Sequence, residues 1–434
     1  MVNVVIAGGG PAGLATAISA RLEGFEVTVL DGARPPIDKA CGEGLMPDGV
    51  SVLESLGVDL QEVNSHPFRG IRYLDGHLSA EGVFPGAFGP VRISHQLPAT
   101  AVDAPHPAGF SRIGVLDVLS STTPRPSGRK PSRAQHLVAL ATKPGENCGL
   151  GIRRTELHRA LRCRAEGLGV DLRWGMRVHG VTAEGFETEH GVVRGRWLVG
   201  ADGRASRVRR WSSLDGRRAR HRRFGVRRHF ELEPWSDLVE VHWADGREAY
   251  VTPVGKRLVG VALLWSGATA TFDDLLASFP NLRQRLENTP VASKDRGAGP
   301  LEQRCRAVIN GNLALVGDAS GYLDAITGEG LALSFRQAVA LVEAMAAGDL
   351  ERYVAAHRRI VRYPNRITRL LLLIERHPRL RRRVMRSLAA DPKLMSRFLA
   401  LKMRVKGPRV LGSGGLLPLA AAALRGSPRM RAEL

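Results

Sequence analysis

The chain has 434 residues and a formal net charge of +21, from 63 Lys and Arg against 42 Asp and Glu, and 44% of its residues are hydrophobic. This length and composition are typical of a soluble protein with two or three domains and a sizeable core. The positive charge would suit a nucleic acid, but aromatic residues make up only 5% of the chain and it has no zinc-finger, RNA-recognition or helix-turn-helix signature. We therefore predict no nucleic-acid partner.

Cysteine usage and apolar runs indicate the compartment. The four cysteines, at positions 41, 148, 163 and 305, lie far apart without a CxxC pair, which suggests neither a metal site nor a disulfide framework. No basic and apolar leader precedes the strand predicted at 3–7, and the longest apolar runs, such as 370–374, are too short to span a bilayer. We therefore expect a cytoplasmic protein that binds no metal.

The first predicted elements are a short β-branched strand at 3–7, a glycine-rich loop and a helix that ends near Gly24. Gly8, Gly10 and Gly13 form a GxGxxG motif in the loop. One glycine of such a motif permits a tight turn, one lets backbone N–H groups approach a pyrophosphate, and one lets the helix pack closely against the strand. The positive end of the helix dipole also attracts phosphates, so this pattern predicts a dinucleotide site.

A second strand is predicted at 25–31 and ends in Asp31. A carboxylate at this place can accept hydrogen bonds from both ribose hydroxyls of an adenosine. The order of strand, glycine loop, helix, strand and acid favours a dinucleotide site over a glycine-rich turn without a ligand. The residues predicted to hold the adenosine diphosphate part are Gly8, Gly10, Ala12, Gly13 and Asp31.

The segment PPIDKACGEGLMP at 35–47 follows this strand and contains Cys41 next to Gly42 and close to Gly44. Glycines at such positions indicate backbone that lies close to a flat or bulky group. The Cys41 thiol could donate a proton to a substrate carbon after hydride transfer. It could equally be a compact residue that only fits at this place.

Further along the chain, the segment GRWLVGADGRASRVRR at 195–210 is a predicted strand that leads into Asp202 and Gly203, with a helix beginning at Ser206. An acidic residue next to a glycine at the end of a strand can bind ribose or ribityl hydroxyls. The segment therefore predicts a second place where nucleotide hydroxyls are held.

The third segment of this kind is GNLALVGDASGYLDAITGEGLALSFRQA at 311–338. A strand leads into Gly317 and Asp318, and after a loop Gly328 and Gly330 open a long helix. Backbone N–H groups and the helix dipole at such a glycine-rich start can stabilise negative charge that develops on a flavin ring. We expect both helix-opening glycines to approach that ring.

Together these three motifs resemble the flavoprotein hydroxylase class of FAD-dependent oxidoreductases, which includes p-hydroxybenzoate hydroxylase, and most closely its geranylgeranyl reductase family. The motifs occur in order within residues 1–345. The resemblance implies that the first holds the adenosine diphosphate half of FAD and that the third holds the ribityl chain and pyrophosphate. The second, with Asp202 and Gly203, would lie between FAD and a transiently bound NAD(P)H.

The resemblance also implies roles for residues near the flavin ring. In geranylgeranyl reductases a Cys-Gly stretch passes beside the isoalloxazine ring, so Gly42 is expected there and Cys41 is the candidate catalytic residue. Arg154, in GIRRTELHRAL at 151–161, is expected on the helix whose arginine approaches FAD, with Arg153 as an adjacent competitor.

Two departures from related signatures lie in the segment at 248–264. It keeps Tyr250 and Pro253 of the aromatic-rich Tyr-x-Trp-x-Phe-Pro stretch of geranylgeranyl reductases, but has Val251, Thr252 and Val254 where large aromatics are expected. The resemblance therefore does not extend to the aromatic wall of a tunnel for a prenyl chain. The Trp-x-Trp-x-Ile-Pro signature of flavin halogenases is absent.

The spacing of the motifs predicts an α/β fold with a discontinuous Rossmann-like FAD-binding domain, whose parallel sheet has crossover antiparallel strands. Alternating apolar residues between 213 and 299 predict an antiparallel β-sheet that covers the substrate pocket. We predict an FAD-binding domain at 1–58, 149–212 and 300–346, a substrate-binding β-sheet domain at 59–86 and 213–299, a disordered or surface-exposed Pro-rich insertion at 87–148, and a helical region at 347–434.

Two stretches are strongly basic. The run at 216–228 is predicted to be a solvated connector, although it could attract a phosphate-bearing ligand. The C-terminal region from 350 has apolar residues at helical spacing with arginines opposite, which suits a helical cap over the substrate pocket and also a helix on a membrane surface. We favour the cap and keep peripheral membrane contact as an alternative.

The sequence thus predicts an FAD-dependent oxidoreductase that takes hydride from NAD(P)H and acts on an apolar small molecule. It would either reduce a carbon–carbon double bond or insert oxygen, and the cofactor motifs do not distinguish these reactions. The alternative is a non-catalytic flavin-binding protein attached to a membrane surface by its basic C-terminal helices.

Overall fold

A six-stranded sheet carries the glycine-rich motifs in the computed structural model, which describes residues 3–85, 147–216 and 222–402. All its strands are parallel except one at the edge. In sheet order they are β18 (Ile309–Asn310), β19 (Leu313–Leu315), β12 (Trp197–Gly200), β1 (Asn3–Ala7), β2 (Glu26–Asp31) and β8 (Asp171–Trp174). The insertion predicted at 87–148 lies outside the described residues apart from its last two positions.

Helices cover one face of this sheet and a small antiparallel sheet covers the other. The helices of the described residues are α1 (Pro11–Leu22), α2 (Pro47–Ser55), α3 (Arg154–Gly167), α4 (Arg207–Trp211), α5 (Phe272–Leu276), α6 (Pro280–Leu286), α7 (Gly330–Ala346), α8 (Glu351–Arg376), α9 (Pro378–Ala390) and α10 (Pro392–Lys402). Helix α1 packs against α3 and α7 in the main apolar core. The small sheet consists of β9 (Val178–Val181), β10 (Gly185–Thr188) and β11 (Gly191–Arg194).

A seven-stranded, mostly antiparallel sheet forms the second layer of the protein. Its order is β17 (Arg296–Ala298), β13 (Arg223–Phe230), β16 (Leu258–Ser266), β15 (Arg247–Gly255), β14 (Leu238–Ala244), β5 (Gly70–Asp75) and β6 (Leu78–Val83). Side chains alternate across it, so Ala249 and Val251 pack under α5 and α6 while Tyr250 faces the opposite way. A fourth sheet, β3 (Gly44–Leu45), β7 (Gly149–Ile152) and β4 (Ser65–Phe68), joins the two layers.

The C-terminal helices α8, α9 and α10 cover an edge of the seven-stranded sheet. Leu371, Leu380, Val384 and Met395 are buried in one apolar cluster together with Tyr73 of β5. The apolar stripes of these helices are therefore used for packing inside the protein. No helix of the described residues is long and apolar enough to cross a membrane.

The predicted fold class is confirmed: a parallel-sheet α/β unit, an antiparallel sheet and C-terminal helices are all present. The helix start predicted at Ser206 is confirmed. Ser206 caps α4 by accepting the Arg209 N–H, and Thr271 and Asp274 form a reciprocal capping box at α5.

Candidate functional site

The three sequence motifs meet at one edge of the parallel sheet. Strand β1 pairs with β2 and β12, and β12 pairs with β19, so that the carboxyl ends of the four strands lie side by side. Gly8 follows β1 directly and Asp31 is the last residue of β2, while Asp202 and Gly317 lie two positions after the ends of β12 and β19. In open α/β sheets ligands bind at this edge, and the strand topology therefore forms one site from distant segments.

Two glycines of the first motif are required by packing and one leaves space. A Cβ atom on Gly8, where φ is +114°, would lie 2.4 Å from the Ala201 carbonyl oxygen, and one on Gly13 would lie 1.9 Å from the Gly8 oxygen. At Gly10 the nearest atom to such a Cβ is the Arg154 Nη2 at 3.5 Å. Gly8 and Gly13 therefore let the helix, the strand and the loop approach each other, whereas Gly10 opens onto a cavity.

Asp31 holds the glycine loop as well as facing the cavity. Its carboxylate accepts the Gly9 N–H at 2.7 Å and the Ala33 N–H at 2.8 Å. It lines a cavity of about 320 Å³ with Gly10, Asp202 and Arg177. A carboxylate has about four acceptor positions, so two backbone donors leave it able to accept from ribose hydroxyls.

Asp202 has one oxygen in use and one without a partner. Oδ2 accepts the N–H groups of Arg207 at 2.7 Å and Val208 at 3.1 Å at the start of α4, while Oδ1 is buried without a hydrogen bond. Gly203 has a φ of +83° and open space at its Cβ position. The structure places Asp202 in the same cavity as Asp31, on the side of the first motif.

Arg154 lies between the motifs. It is the first residue of α3, and its backbone N–H is accepted by Glu43 Oε1 at 2.8 Å. Its side-chain Nε is buried without a partner, and burial lowers the pKa of the guanidinium, opposed by the attraction of Cys41 and Asp318. A buried cation with an unused donor, next to the open side of Gly10, suits an anionic ligand.

The third motif is held from behind by α7. Gly317 has a φ of +63°, and a Cβ there would lie 2.7 Å from the Ala12 Cβ, so this position also needs glycine. Its N–H is accepted by Gln337 Oε1 at 2.8 Å. Burial raises the pKa of the neighbouring Asp318, opposed by Arg154 and Arg204.

The Cys-Gly loop and the start of α7 leave backbone uncovered. A Cβ on Gly42 or on Gly328, where φ is +66°, would meet no atom within 4 Å, and one on Gly330 would lie 3.5 Å from Tyr322. The Gly42 carbonyl accepts the hydroxyl of Thr252 at 3.0 Å, which ties the loop to β15. These open positions suit a flat group that lies against the backbone.

Cys41 is a protonated thiol in this loop. Its Sγ accepts the Glu43 N–H at 3.3 Å. Burial raises the pKa of the thiol, and the Arg154 guanidinium opposes that rise. A thiol with a raised pKa carries its proton at neutral pH, and the nearby cation can stabilise the thiolate once the proton has left.

Behind this loop lies a buried series of hydrogen-bonded side chains, and the sequence did not predict these contacts. Glu43 Oε2 lies 2.5 Å from His229 Nε2, while His229 Nδ1 faces Arg227 Nη1 at 3.0 Å. A guanidinium can only donate, so Nδ1 must accept and the imidazole proton must sit on Nε2, directed at the carboxylate. Arg227 continues the series to Asp38 at 2.5 Å. The series fixes the Cys41 loop against strand β13.

His158 and Trp174 also belong to the site and were missed. His158 Nε2 lies 2.9 Å from the Gly9 carbonyl, which can only accept, so Nε2 carries the proton. Burial lowers the pKa of this imidazole, which keeps it neutral. The Trp174 ring covers Gly9, where a Cβ would lie 2.3 Å from it. His158 stands four residues after Arg154 on α3, and this helical spacing could have indicated it.

One face of β15 carries a second buried polar group. Tyr250 Oη lies 2.9 Å from Glu248 Oε2 and 2.8 Å from the Ile326 carbonyl of the loop before α7. Arg223 Nη2 lies 3.3 Å from Glu248 and its Nη1 3.5 Å from Asp324. Burial raises the pKa of Glu248 to about 7, opposed by Arg223. This group joins the antiparallel sheet to the loop that contains Gly328.

The residues at the sheet edge fit an FAD molecule. The unpartnered Arg154 Nε and Asp202 Oδ1 need polar partners, and Gly10, Gly42 and Gly328 leave room for a ligand against the backbone. A dinucleotide would fill this room, and its charged pyrophosphate and its sugar hydroxyls would be the polar partners that these atoms need.

Comparison with known proteins agrees with this geometry. Residues 1–244 match the family model described as FAD binding domain, FAD_binding_3. The chain is 25% identical over 378 residues to a menaquinone reductase of Mycolicibacterium smegmatis, covering 82% of this chain and 78% of that protein. The fold resembles a flavoprotein/dehydrogenase from Cytophaga hutchinsonii, with a TM-score of 0.68, 16% identity and 92% of each chain covered. It also resembles 2-methyl-3-hydroxypyridine-5-carboxylic acid oxygenase, with a TM-score of 0.58, 18% identity and 98% of each chain covered.

Proposed function

This chain belongs to the FAD binding domain family, and from that premise we propose that it takes hydride from NAD(P)H and reduces a carbon–carbon double bond of an apolar small molecule. It is an FAD-binding oxidoreductase of the hydroxylase and monooxygenase class. The observation that carries the proposal is the meeting of the three motifs at one sheet edge, beside the half-buried Arg154, whose buried Nε has no partner within the described residues.

The proposal assigns the cofactor contacts by position. Gly10 and Asp31 would bind the adenosine diphosphate half of FAD, Arg154 the pyrophosphate side, and Gly317 with Asp318 the ribityl chain. Ala12 and Gly13 would contribute the start of α1, and Gly42, Gly328 and Gly330 the backbone beside the ring. Bound at these residues, FAD would supply the chemistry of hydride transfer between a nicotinamide and a substrate carbon. Asp202 lines the same cavity as Asp31, and we propose that it and Gly203 lie between FAD and the NAD(P)H.

Within this scheme Cys41 supplies the proton. Reduction of a carbon–carbon double bond adds a hydride to one carbon and a proton to the other, so a residue must give that proton. The Cys41 thiol is protonated at neutral pH because burial raises its pKa, and Arg154 stabilises the thiolate that remains. Glu43 acts as a positioning residue, since its carboxylate holds His229 and the start of α3.

An apolar substrate and a likeness to the geranylgeranyl reductase family are supported by two facts. The relative from Mycolicibacterium smegmatis is named a menaquinone reductase. Beside the polar group at Tyr250, the same face of the seven-stranded sheet carries an apolar cluster that includes Tyr73, Trp243 and Ile326. We propose that this sheet, with residues 59–86 and 213–299, forms the substrate-binding domain, and that residues 1–58, 149–212 and 300–346 form the FAD-binding domain.

Anaerobic stopped-flow spectroscopy tests the proposal. The purified flavoprotein is reduced with NADPH or NADH, and the reduced form is mixed with oxygen in one arm and with a prenylated quinone in the other. We expect rapid reduction by a nicotinamide, slow reoxidation by oxygen and fast reoxidation by the quinone with loss of one double bond. Rapid oxygen consumption coupled to one added hydroxyl would instead identify a monooxygenase. Absence of reduction by either nicotinamide would identify a non-catalytic flavin-binding protein.

A further inference from the structure

More than half of the excess positive charge of this chain lies on its C-terminal helices. Residues 352–397 contain 14 Arg and Lys residues and two acidic residues, so this segment carries +12 of the total net charge of +21. Charges of one sign at this density repel each other, and an anionic partner relieves that repulsion. Packing of the helices alone therefore does not explain their excess of positive charge.

The structure turns these charges outward. The apolar side of α8 and α9 is buried with Leu371, Leu380 and Val384 against the seven-stranded sheet. Arg381 is buried and fixes the rotation of α9, because its Nε lies 3.1 Å from Asp75 Oδ2 and its Nη2 lies 2.9 Å from Asp245 Oδ1. The other arginines of α9 then point to solvent.

The outward arginines form a stripe on each helix. At 100° per residue, Arg358, Arg362, Arg366, Arg369 and Arg376 of α8 fall within an arc of about 80°, and all five are exposed. On α9 the exposed arginines are at positions 379, 382, 383 and 386, within an arc of about 100°. We call the two stripes together the cationic face.

Apolar side chains lie within and beside the cationic face. Leu373 falls inside the arginine arc of α8 and Leu370 lies next to it; both pack partly against the apolar cluster beneath, and part of each side chain stays exposed. A nucleic acid offers charge to such a surface but no apolar layer. A bilayer offers anionic headgroups above an acyl region, which suits arginines with apolar residues among them.

We propose that the cationic face of α8 and α9 binds the surface of a bilayer that contains anionic lipids. The arginine side chains would lie among the headgroups, with the exposed part of Leu373 between them. The helices remain packed on the sheet, so the protein lies on the membrane. This inference goes beyond the proposed function, because it depends on surface charge and not on the substrate.

Vesicle flotation with the flavin-loaded protein tests this proposal. Vesicles of phosphatidylglycerol and phosphatidylcholine are compared with phosphatidylcholine alone, at low and high salt. The test variant carries R379E, R382E, R383E and R386E, and the control carries R173E, R194E, R257E and R283E, four exposed arginines on other elements. Both change the net charge equally, and flavin content reports that each variant is folded.

We expect binding to the anionic vesicles that salt weakens, and a loss of about 100-fold or more in the test variant, since each cation at an anionic surface contributes a factor of about five. The control variant should lose no more than about tenfold. Equal losses in both variants would overturn the proposal, because binding would then follow net charge. Binding to duplex DNA without binding to anionic vesicles would overturn it as well.

Discussion

Replacement of Arg154 by methionine tests the geometry at the centre of the site. Methionine keeps much of the apolar length of the side chain and removes the charge and the unpartnered Nε. A hydrogen bond from a charged group contributes about 1.5–3 kcal/mol. FAD affinity should therefore fall by about 10- to 150-fold, while the glycine loop stays intact because Asp31 and His158 hold it.

Arg153 provides a matched control for this variant. It is the preceding residue, is also half-buried, and has a buried Nε without a partner, but it is Arg154 that lies beside Gly10. Titration of apoprotein with FAD, followed by quenching of flavin fluorescence, measures both variants. R153M should change the dissociation constant by less than about threefold. A larger loss in R153M than in R154M would refute the assignment.

The same variant has a second consequence at Cys41. The Arg154 cation lowers the pKa of this thiol, against the larger effect of burial. R154M should therefore raise that pKa further and reduce the thiolate fraction at pH 8 to 9. Labelling of Cys41 by a small alkylating reagent should slow in this range. Unchanged labelling would show that the guanidinium is not close to the sulfur.

Three further outcomes are expected. G13A should lower the unfolding temperature by several degrees, because the added Cβ would lie 1.9 Å from the Gly8 oxygen. G167A is the control and should leave the unfolding temperature unchanged, because its Cβ would meet no atom within 4 Å. An equal effect of both variants would refute the packing role of Gly13. C41S should keep its bound flavin and lose most of its substrate reduction. The activity of the native protein should fall only above the raised pKa of the thiol, where the proton donor is lost. Full activity in C41S would exclude Cys41 as the donor. The pKa of Glu248 is raised to about 7 in the folded protein, whereas in the unfolded chain this carboxyl loses its proton near 4.5. The free energy of unfolding should therefore fall as the pH rises from 4.5 to 7, and E248Q should weaken this fall in urea unfolding. The same slope in both proteins would contradict the assignment.

Local signals were enough to predict the elements that carry the cofactor motifs. The strand at 3–7, the helix with Pro11 at its first position and the strand that ends at Asp31 follow from apolar pattern, glycine spacing and the terminal acid. The helix start predicted at Ser206 is likewise a feature of one turn, where the side chain caps the backbone. Such signals need no knowledge of distant parts of the chain, and they were read correctly.

Contacts between residues that are distant in the chain could not be predicted from the sequence. The basic run at 216–228 was interpreted as solvated, but Arg223 and Arg227 are buried and Arg228 pairs with Asp273 and Asp295 at 2.7 Å each. The charged partners of these arginines lie about 25 to 190 positions away in the chain, so no spacing rule brings them together. The interpretation was wrong for these residues, while positions 217–221 lie outside the described residues.

The Glu43–His229 contact shows why the site could be predicted only in part. The glycines around Cys41 indicated backbone beside a flat group, but the buried partner of Glu43 is on strand β13, 186 positions later. Its identity depends on how the antiparallel sheet packs against the loop. A single sequence carries no record of that packing.

The absorption spectrum of the purified chain tests the central claim most directly, because the whole account depends on FAD bound at the sheet edge. We predict absorption bands near those of oxidised flavin, and release of about one FAD per chain on denaturation. A colourless protein whose spectrum and fluorescence stay unchanged after incubation with excess FAD would contradict the account.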